Sequence, residues 1–379
     1  MGTTLGADNG IGSAAALALA DDPDAVHGPL EVLLTVDEET GMTGARELDP
    51  ALVTGRRMLN LDTEEEGAVY IGCAGGGDVL CKFPVETMAR PDWTAVFRID
   101  VKGLAGGHSG LNIHENRANA IKVLARVLDA LPESGVDYQL VNIEGGSKRN
   151  AVPREAFARI IVSADDVESL MAEIARLEAE IKAEFTATDP DMVLVCTARP
   201  DCKCGTIFTA SFTRKLVAAL HASPSGVVTM SRDVPGLVET SNNLGVIHTN
   251  EDDIEVVHCT RSSVTSALEA LRTSIRALYE LAGANVDLQP SYPGWAPNVA
   301  SPLLKKALAV YEQTTGKKAE IKAVHAGLEC GLLGEKCPGM DMISIGPEMH
   351  AVHSPDEKVS VSSTARFYAY LKTLLAALE

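Results

Sequence analysis

Four short stretches of the chain carry acids or a histidine in loops next to regular elements. Asp8 lies in GADNG before a helix-like run, and Glu38 and Glu39 lie in TVDEETG after an apolar run. Asp62 lies in NLDTEEEG, and His353 lies in HAVHSPDE, downstream of MDMISIGPE. In α/β sheets the carboxyl ends of strands are where sites form. Carboxylate oxygens together with an imidazole suit zinc, manganese or cobalt. The adjacent glutamates are the sharpest feature, since one can bind an ion while the other takes a proton from water that the ion has acidified. Neighbours in a strand point to opposite faces, so both can converge only where the strand has ended. Gly41 is consistent with such a break.

Each member also has an ordinary explanation. Asp8 could be a helix N-cap. Asp37–Glu39 could be a solvated acidic loop, and Asp62 with its three following glutamates a solvated turn. His353, close to His350, could be a surface residue. A second unusual stretch is GLAGGHSGLNIHENRANA (103–120), where glycines flank His108 and would let backbone approach a ligand closely. A tight turn with an incidental histidine would look the same. Arg261 in HCTRSS is a possible carboxylate fork. Asn150 in GGSKRNAVP and Gly327 in HAGLECG give no unaided reading.

The elements that must position these residues alternate. GIGSAAALALA (10–20) reads as a helix rich in Ala and Leu. LEVLLTV (30–36) is a continuous apolar run that reads as a buried strand, and RRMLNLD (56–62) as a second. Alternation of strand and helix predicts an α/β layer. From about 76 to 288 the texture changes. TAVFRIDVKGL, GVDYQLVNIEGG, AFARIIVSA and DMVLVCTA read as strands, and 117–131, 167–185 and 262–283 as helices. After SYPGWAP the α/β texture returns, with LLKKALAVYEQTTG and TARFYAYLKTLLAALE as helices and KAEIKAVH and MDMISIG as strands. The expected fold class is α/β, with one α/β domain at 1–75 and 289–379 interrupted by an α+β domain at 76–288.

Composition limits the function classes. The 379 residues are 46% hydrophobic and 22% charged, with aromatics at 4%, as in a globular chain with aliphatic cores. The net charge of −19 repels phosphate backbones and anionic membrane surfaces, so neither nucleic acid nor a membrane is an expected partner. The first thirty residues show no basic start followed by an apolar run, and no stretch is long and apolar enough to span a bilayer. The eight cysteines follow no small-domain spacing, and reduced thiols are expected. Cys196, Cys202 and Cys204 contain only one tight pair, whereas a structural zinc site wants two.

The stretches GTTLGADNGIG, LLTVDEETGMTGA, NLDTEEEG, GGHSGLNIHENRANA, NAVP, HAGLECG and GP…HSPDEKV occur in that order. Together they resemble the cytosolic aminoacyl-histidine, or non-specific Xaa-His, dipeptidases of the two-metal zinc peptidase and deacylase group. The resemblance runs along essentially the whole chain. It implies a zinc-peptidase-like α/β catalytic domain with a large lid and dimerisation domain. It further implies hydrolysis of Xaa-His and other dipeptides in the cytoplasm by a homodimer using two zinc ions, with manganese or cobalt as alternatives. Asp8 would bridge the ions, Glu39 and His353 would complete one shell, and Asp62 would bind the other ion. Glu38 would be the general base. His108 would polarise the scissile carbonyl or hold the oxyanion, from the partner subunit in some relatives. Asn150, Arg261 and Gly327 would contact substrate, with Arg261 at its carboxylate.

The resembled family also carries a His-x-Asp motif upstream of the segment matching GTTLGADNG. The expectation is therefore a chain starting within the catalytic domain, with one ion site weakened, a sheet edge unpaired and low activity. Alternatives are an N-acyl amino acid amidohydrolase and a non-catalytic truncated paralogue that binds peptides or a longer partner.

Overall fold

The computed structural model describes residues 3–202 and 204–379, with the Thr40 side chain left out. The chain divides into two compact units. One comprises 1–75, 231–237 and 292–379, and the other 76–230 and 238–291.

The first unit is built on a mixed four-stranded sheet in the order Arg57–Asn60, Asp341–Ser344, Ala68–Cys73, Glu320–Val324. The outer pairings are parallel, and the central contact Ser344↔Tyr70 is antiparallel. Helices Ala7–Asp21, Pro302–Thr315 and Val361–Ala377 bury their apolar faces with the sheet. Their core includes Leu19, Val69, Ile71, Leu304, Ile343, Phe367 and Leu371. Start signals fix two of these helices. Ser301 accepts from Leu304 N at 2.9 Å ahead of Pro302, and Gly316 closes the same helix at φ 71°. Ser360 accepts from Ser363 N ahead of the last helix.

One expected strand is absent. LEVLLTV takes up no strand among the described residues. Val32, Leu34 and Val36 are exposed, Val36 to 69%. An apolar run specifies a buried strand only if a neighbouring strand accepts its ladder, and here none does. The chain instead reverses at Asp37 (φ 62°), and Glu38–Gly41 forms one helical turn. The break that frees the two glutamates is thus at Asp37, not Gly41.

The second unit is a large sheet in the order Val193–Ala198, Thr94–Lys102, Ala156–Ser163, Tyr138–Gly145, Val238–Thr249, Asp253–Ser262, Gly75–Pro84, Asn285–Leu288. Gly226–Met230 also pairs with Val238–Thr249. Helices Ala120–Ala130, Val167–Glu184, Ala210–Ala222 and Thr265–Leu281 contribute to its core. Leu124, Leu128, Ile143, Ile160, Leu177, Leu220, Ile247 and Tyr279 are buried there. Strand alternation gives each strand one face for these helices, as the pattern in Thr94–Lys102 shows. Asn119 caps the first helix by accepting from Ile121 N and Lys122 N. Lys122 Nζ in turn donates to the carbonyls of Leu220 (2.8 Å) and Ser223 (2.7 Å) at the end of Ala210–Ala222. No described helix is long and apolar enough to cross a membrane.

Candidate active site

Asp8 is not a helix cap. Gly6 precedes the helix, and Asp8 and Asn9 hold non-helical φ/ψ. Asn9 Oδ1 accepts from Gly12 N at 3.0 Å and does the capping, which leaves the Asp8 carboxylate free for other partners. Glu357 fixes the backbone here. Its carboxylate accepts from Gly6 N at 2.9 Å and Asp8 N at 3.0 Å, and these backbone donors hold its pKa below the usual value. Glu357 belongs to HSPDE, so one side chain ties the Asp8 segment to the His353 loop.

That loop is bent sharply. Ala351 and His353 sit at φ 54° and 60°, and Ser354 Oγ donates to Ala351 O at 2.7 Å. The bend brings His353 Nε2 to 3.0 Å from Asp8 Oδ2 and 2.8 Å from Glu39 Oε2. One donor atom from each of the three lies within 4.8 Å of the others, the only such group of acids, histidines or cysteines found among the described residues. With Thr4 and Glu357 they line an open pocket of about 480 Å³.

More carboxylates crowd around. Burial, then the charges of Glu39, Glu329 and Asp8, push the Glu38 pKa up to about 7. Burial, then Glu38, Asp8, Glu329 and Glu39, push Asp62 up to about 8. Glu39 and Glu64 are raised too, by burial first and Asp8 next. Burial opposes the charged form of His353, yet Glu39, Asp8 and Glu64 hold its pKa above the ordinary value. Like charges packed this way disfavour ionisation unless a cation joins them. Two carboxylate oxygens and one imidazole nitrogen, with more carboxylate nearby, fit a divalent ion of the zinc, manganese or cobalt kind.

Glu329 was not foreseen. It opens the helix Glu329–Lys336 and is 6% exposed. Its Oε2 accepts from Thr35 Oγ1 at 2.8 Å, while its buried Oε1 has no hydrogen-bond partner. It stands two residues beyond Gly327 in HAGLECG, and the signal available was an acid inside an otherwise apolar stretch. Gly327 lies under the Tyr292 ring, where a Cβ would come within 3.2 Å of Cε2.

The other expected residues belong to the second unit. His108 is half-buried, and burial and then Arg261 lower its pKa. Arg261 is 7% exposed, on the strand Asp253–Ser262, opposite Ser241. Asn150 is exposed, and its carbonyl accepts from Ser109 N at 2.9 Å, beside His108. The eight cysteines are free thiols.

A mixed-sheet unit with a clustered acid–histidine centre, joined in one chain to an antiparallel-sheet unit, is an arrangement that suits a metal-dependent hydrolase. The model of the peptidase dimerisation domain matches residues 99–189. The chain is 40% identical over 375 residues to the cytosol non-specific dipeptidase of Escherichia coli K12, covering 99% of this chain and 76% of that protein. The crystal structure of aminoacylhistidine dipeptidase from Vibrio alginolyticus superposes with a TM-score of 0.95 at 41% identity, covering all of this chain and 76% of that one. Aminopeptidase PepT from Bacillus cereus shares the fold at a TM-score of 0.52 and 15% identity. The chain belongs to the dipeptidase family of the first two, metal-dependent hydrolases of peptide bonds.

Proposed function

We propose that the chain hydrolyses dipeptides, Xaa-His among them, and that the centre at Asp8, Glu39 and His353 is where a divalent ion is held. The convergence of those three donors within 4.8 Å carries the reading. Zinc fits the donor set, with manganese or cobalt able to replace it. Asp62 would be the main donor to a second ion, and Asp8 would contribute to holding both. Ions bound there supply Lewis-acid polarisation of the scissile carbonyl and acidify water near neutral pH.

The chain's own groups do the rest. Glu38, next in sequence to the ligand Glu39 and held on the same helical turn, accepts the proton of the attacking water and returns it to the leaving amine. His108 donates a hydrogen bond to the oxyanion. Arg261 pairs with the substrate carboxylate, and Asn150 and Gly327 complete the binding surface. The unit carrying the acid cluster is the catalytic domain. The unit carrying the segment similar to the dimerisation domain is the lid, and it pairs two copies into a homodimer in the cytoplasm.

The test is a panel of dipeptides and N-acetyl amino acids assayed with the chelated protein, alone and after adding zinc, manganese or cobalt. Metal-restored turnover of dipeptides alone is expected. Turnover of N-acetyl amino acids alone would make the protein an amidohydrolase, and binding without turnover would make it a peptide-binding paralogue.

A further inference from the structure

The loop from Gly103 to Asn119 contains His108 and is closed on itself at two levels. The inner level is a turn. His108 N donates to Asn112 Oδ1 at 2.9 Å, and Asn112 N donates back to His108 O at 3.0 Å. Asn112 Nδ2 reaches Glu115 at 2.7 Å, and Arg117 Nε reaches the same carboxylate at 2.7 Å. Gly107, at φ 143°, has room for no side chain, since a Cβ would lie 2.9 Å from that of Asn112. Within this turn His108 Nδ1 receives two backbone donors, Gly110 N at 3.2 Å and Leu111 N at 3.1 Å. A ring nitrogen that accepts from amides has no hydrogen of its own, so in the neutral ring the proton is on Nε2. A second proton on Nδ1 would point at both N–H groups, and burial beside Arg261 disfavours it in the same sense.

The outer level is a single carboxylate. Asp189 is 1% exposed, and its two oxygens accept from the two ends of the loop, Ala105 N and Ala118 N, each at 2.8 Å. Asp189 follows the helix Val167–Glu184, and its own N–H donates to Phe185 O at 2.7 Å. A buried carboxylate that spends both oxygens on backbone amides fixes those amides strongly, because charge-assisted bonds are short and costly to break in a dry interior.

We infer that Asp189 is a positioning residue for His108: it pins both ends of the loop, and the turn inside then presents His108 as a neutral Nε2–H donor. The inference rests on the role proposed above for His108. It adds to that role a fixed tautomer and the residue that maintains it. A donor whose proton is already placed needs no rearrangement when charge develops on the carbonyl oxygen, whereas the other tautomer would offer that oxygen a lone pair.

Three measurements separate this inference from the role it rests on. Nitrogen-15 NMR of the full chain labelled at histidine should show His108 Nδ1 unprotonated and Nε2 protonated at neutral pH; an Nδ1–H or a charged ring would overturn the proposal. The variant Asp189→Asn keeps the volume but offers only one acceptor to two amides. Hydrogen exchange should quicken across 104–119, and kcat should fall about tenfold to a hundredfold with KM within about twofold, the pattern of a lost transition-state contact. Unchanged exchange and unchanged kcat would overturn the proposal. If Asp189→Asn does not fold, Asn112→Ala is used: it opens the inner turn and should shift the His108 ring toward mixed tautomers, and an unchanged ring would overturn the proposal. His108→Ala tests the underlying role: if it leaves kcat unchanged, the catalytic half of the inference falls with that role, while exchange and ring protonation still decide the clamp.

Discussion

The acid centre and a buried knot in the other unit handle polar groups in opposite ways. Around Asp8, Glu39 and His353, carboxylates outnumber cations, and burial and mutual repulsion push Glu38 and Asp62 up to about 7 and 8. His258 is fully enclosed. Its Nδ1 meets Asn242 Nδ2 at 2.9 Å and its Nε2 meets the Tyr279 hydroxyl at 2.9 Å. Burial, then Lys122, pushes its pKa down to about 3. Both ring nitrogens are satisfied, no charge is wanted, and the group is a structural joint between the strand Asp253–Ser262 and the helix Thr265–Leu281. At the acid centre the like charges repel one another, and a bound cation would relieve that repulsion. Crowded, perturbed carboxylates on an open pocket point to function, and a core histidine with both ring nitrogens paired points to stability.

The largest effect that can break this contrast is loss of a ligand. Glu39→Gln should lower dipeptide turnover at least about a thousandfold and weaken divalent-ion affinity by about tenfold or more, read by metal titration. His258→Gln should leave ion affinity unchanged; an equal loss would erase the distinction between the two regions. Next in size is the response of stability to acid. The His258 pKa is lower folded than unfolded, so the unfolded chain takes up the proton first. Stability from this group is complete above about pH 6.5 and falls by about 1.4 kcal/mol per unit as pH drops toward about 3. The raised carboxylates contribute the opposite slope, so the quantity to measure is the wild type minus His258→Gln, in urea melts from pH 7 to pH 4. A difference that does not change with pH would contradict a neutral His258.

Ion binding should stabilise the protein in turn. Zinc at a hundred times its dissociation constant adds about 2.7 kcal/mol, visible as a rise in Tm that Glu39→Gln removes. The smallest expected effect lies in the second unit, outside the acid centre. Lys122→Met removes the donor that closes the helix Ala210–Ala222 and should cost about 1–3 kcal/mol without altering ion affinity.

Residue types alone left each acid and His353 with an ordinary alternative, and the family resemblance, carried by local motifs, was what drew them together. MDMISIG and LEVLLTV look alike as apolar runs, yet the first pairs with two strands and the second pairs with none. Periodicity reports what a segment could bury and not whether a partner is present. Asp8 resembled an N-cap until Asn9 took that task, a choice set by backbone angles that no residue pattern encodes. Glu329 and Glu357 were inside stretches already singled out, but their contacts, to Thr35 and to Gly6 and Asp8, lie about 300 or more residues away in sequence. Such long-range partners become visible only in the folded chain.

The central claim is that one divalent ion is held by Asp8, Glu39 and His353. Anomalous scattering from crystals grown with zinc tests it most directly. The account predicts a peak within bonding distance of all three side chains. A peak only elsewhere, such as at Cys202 and Cys204, or none at saturating zinc, would contradict it.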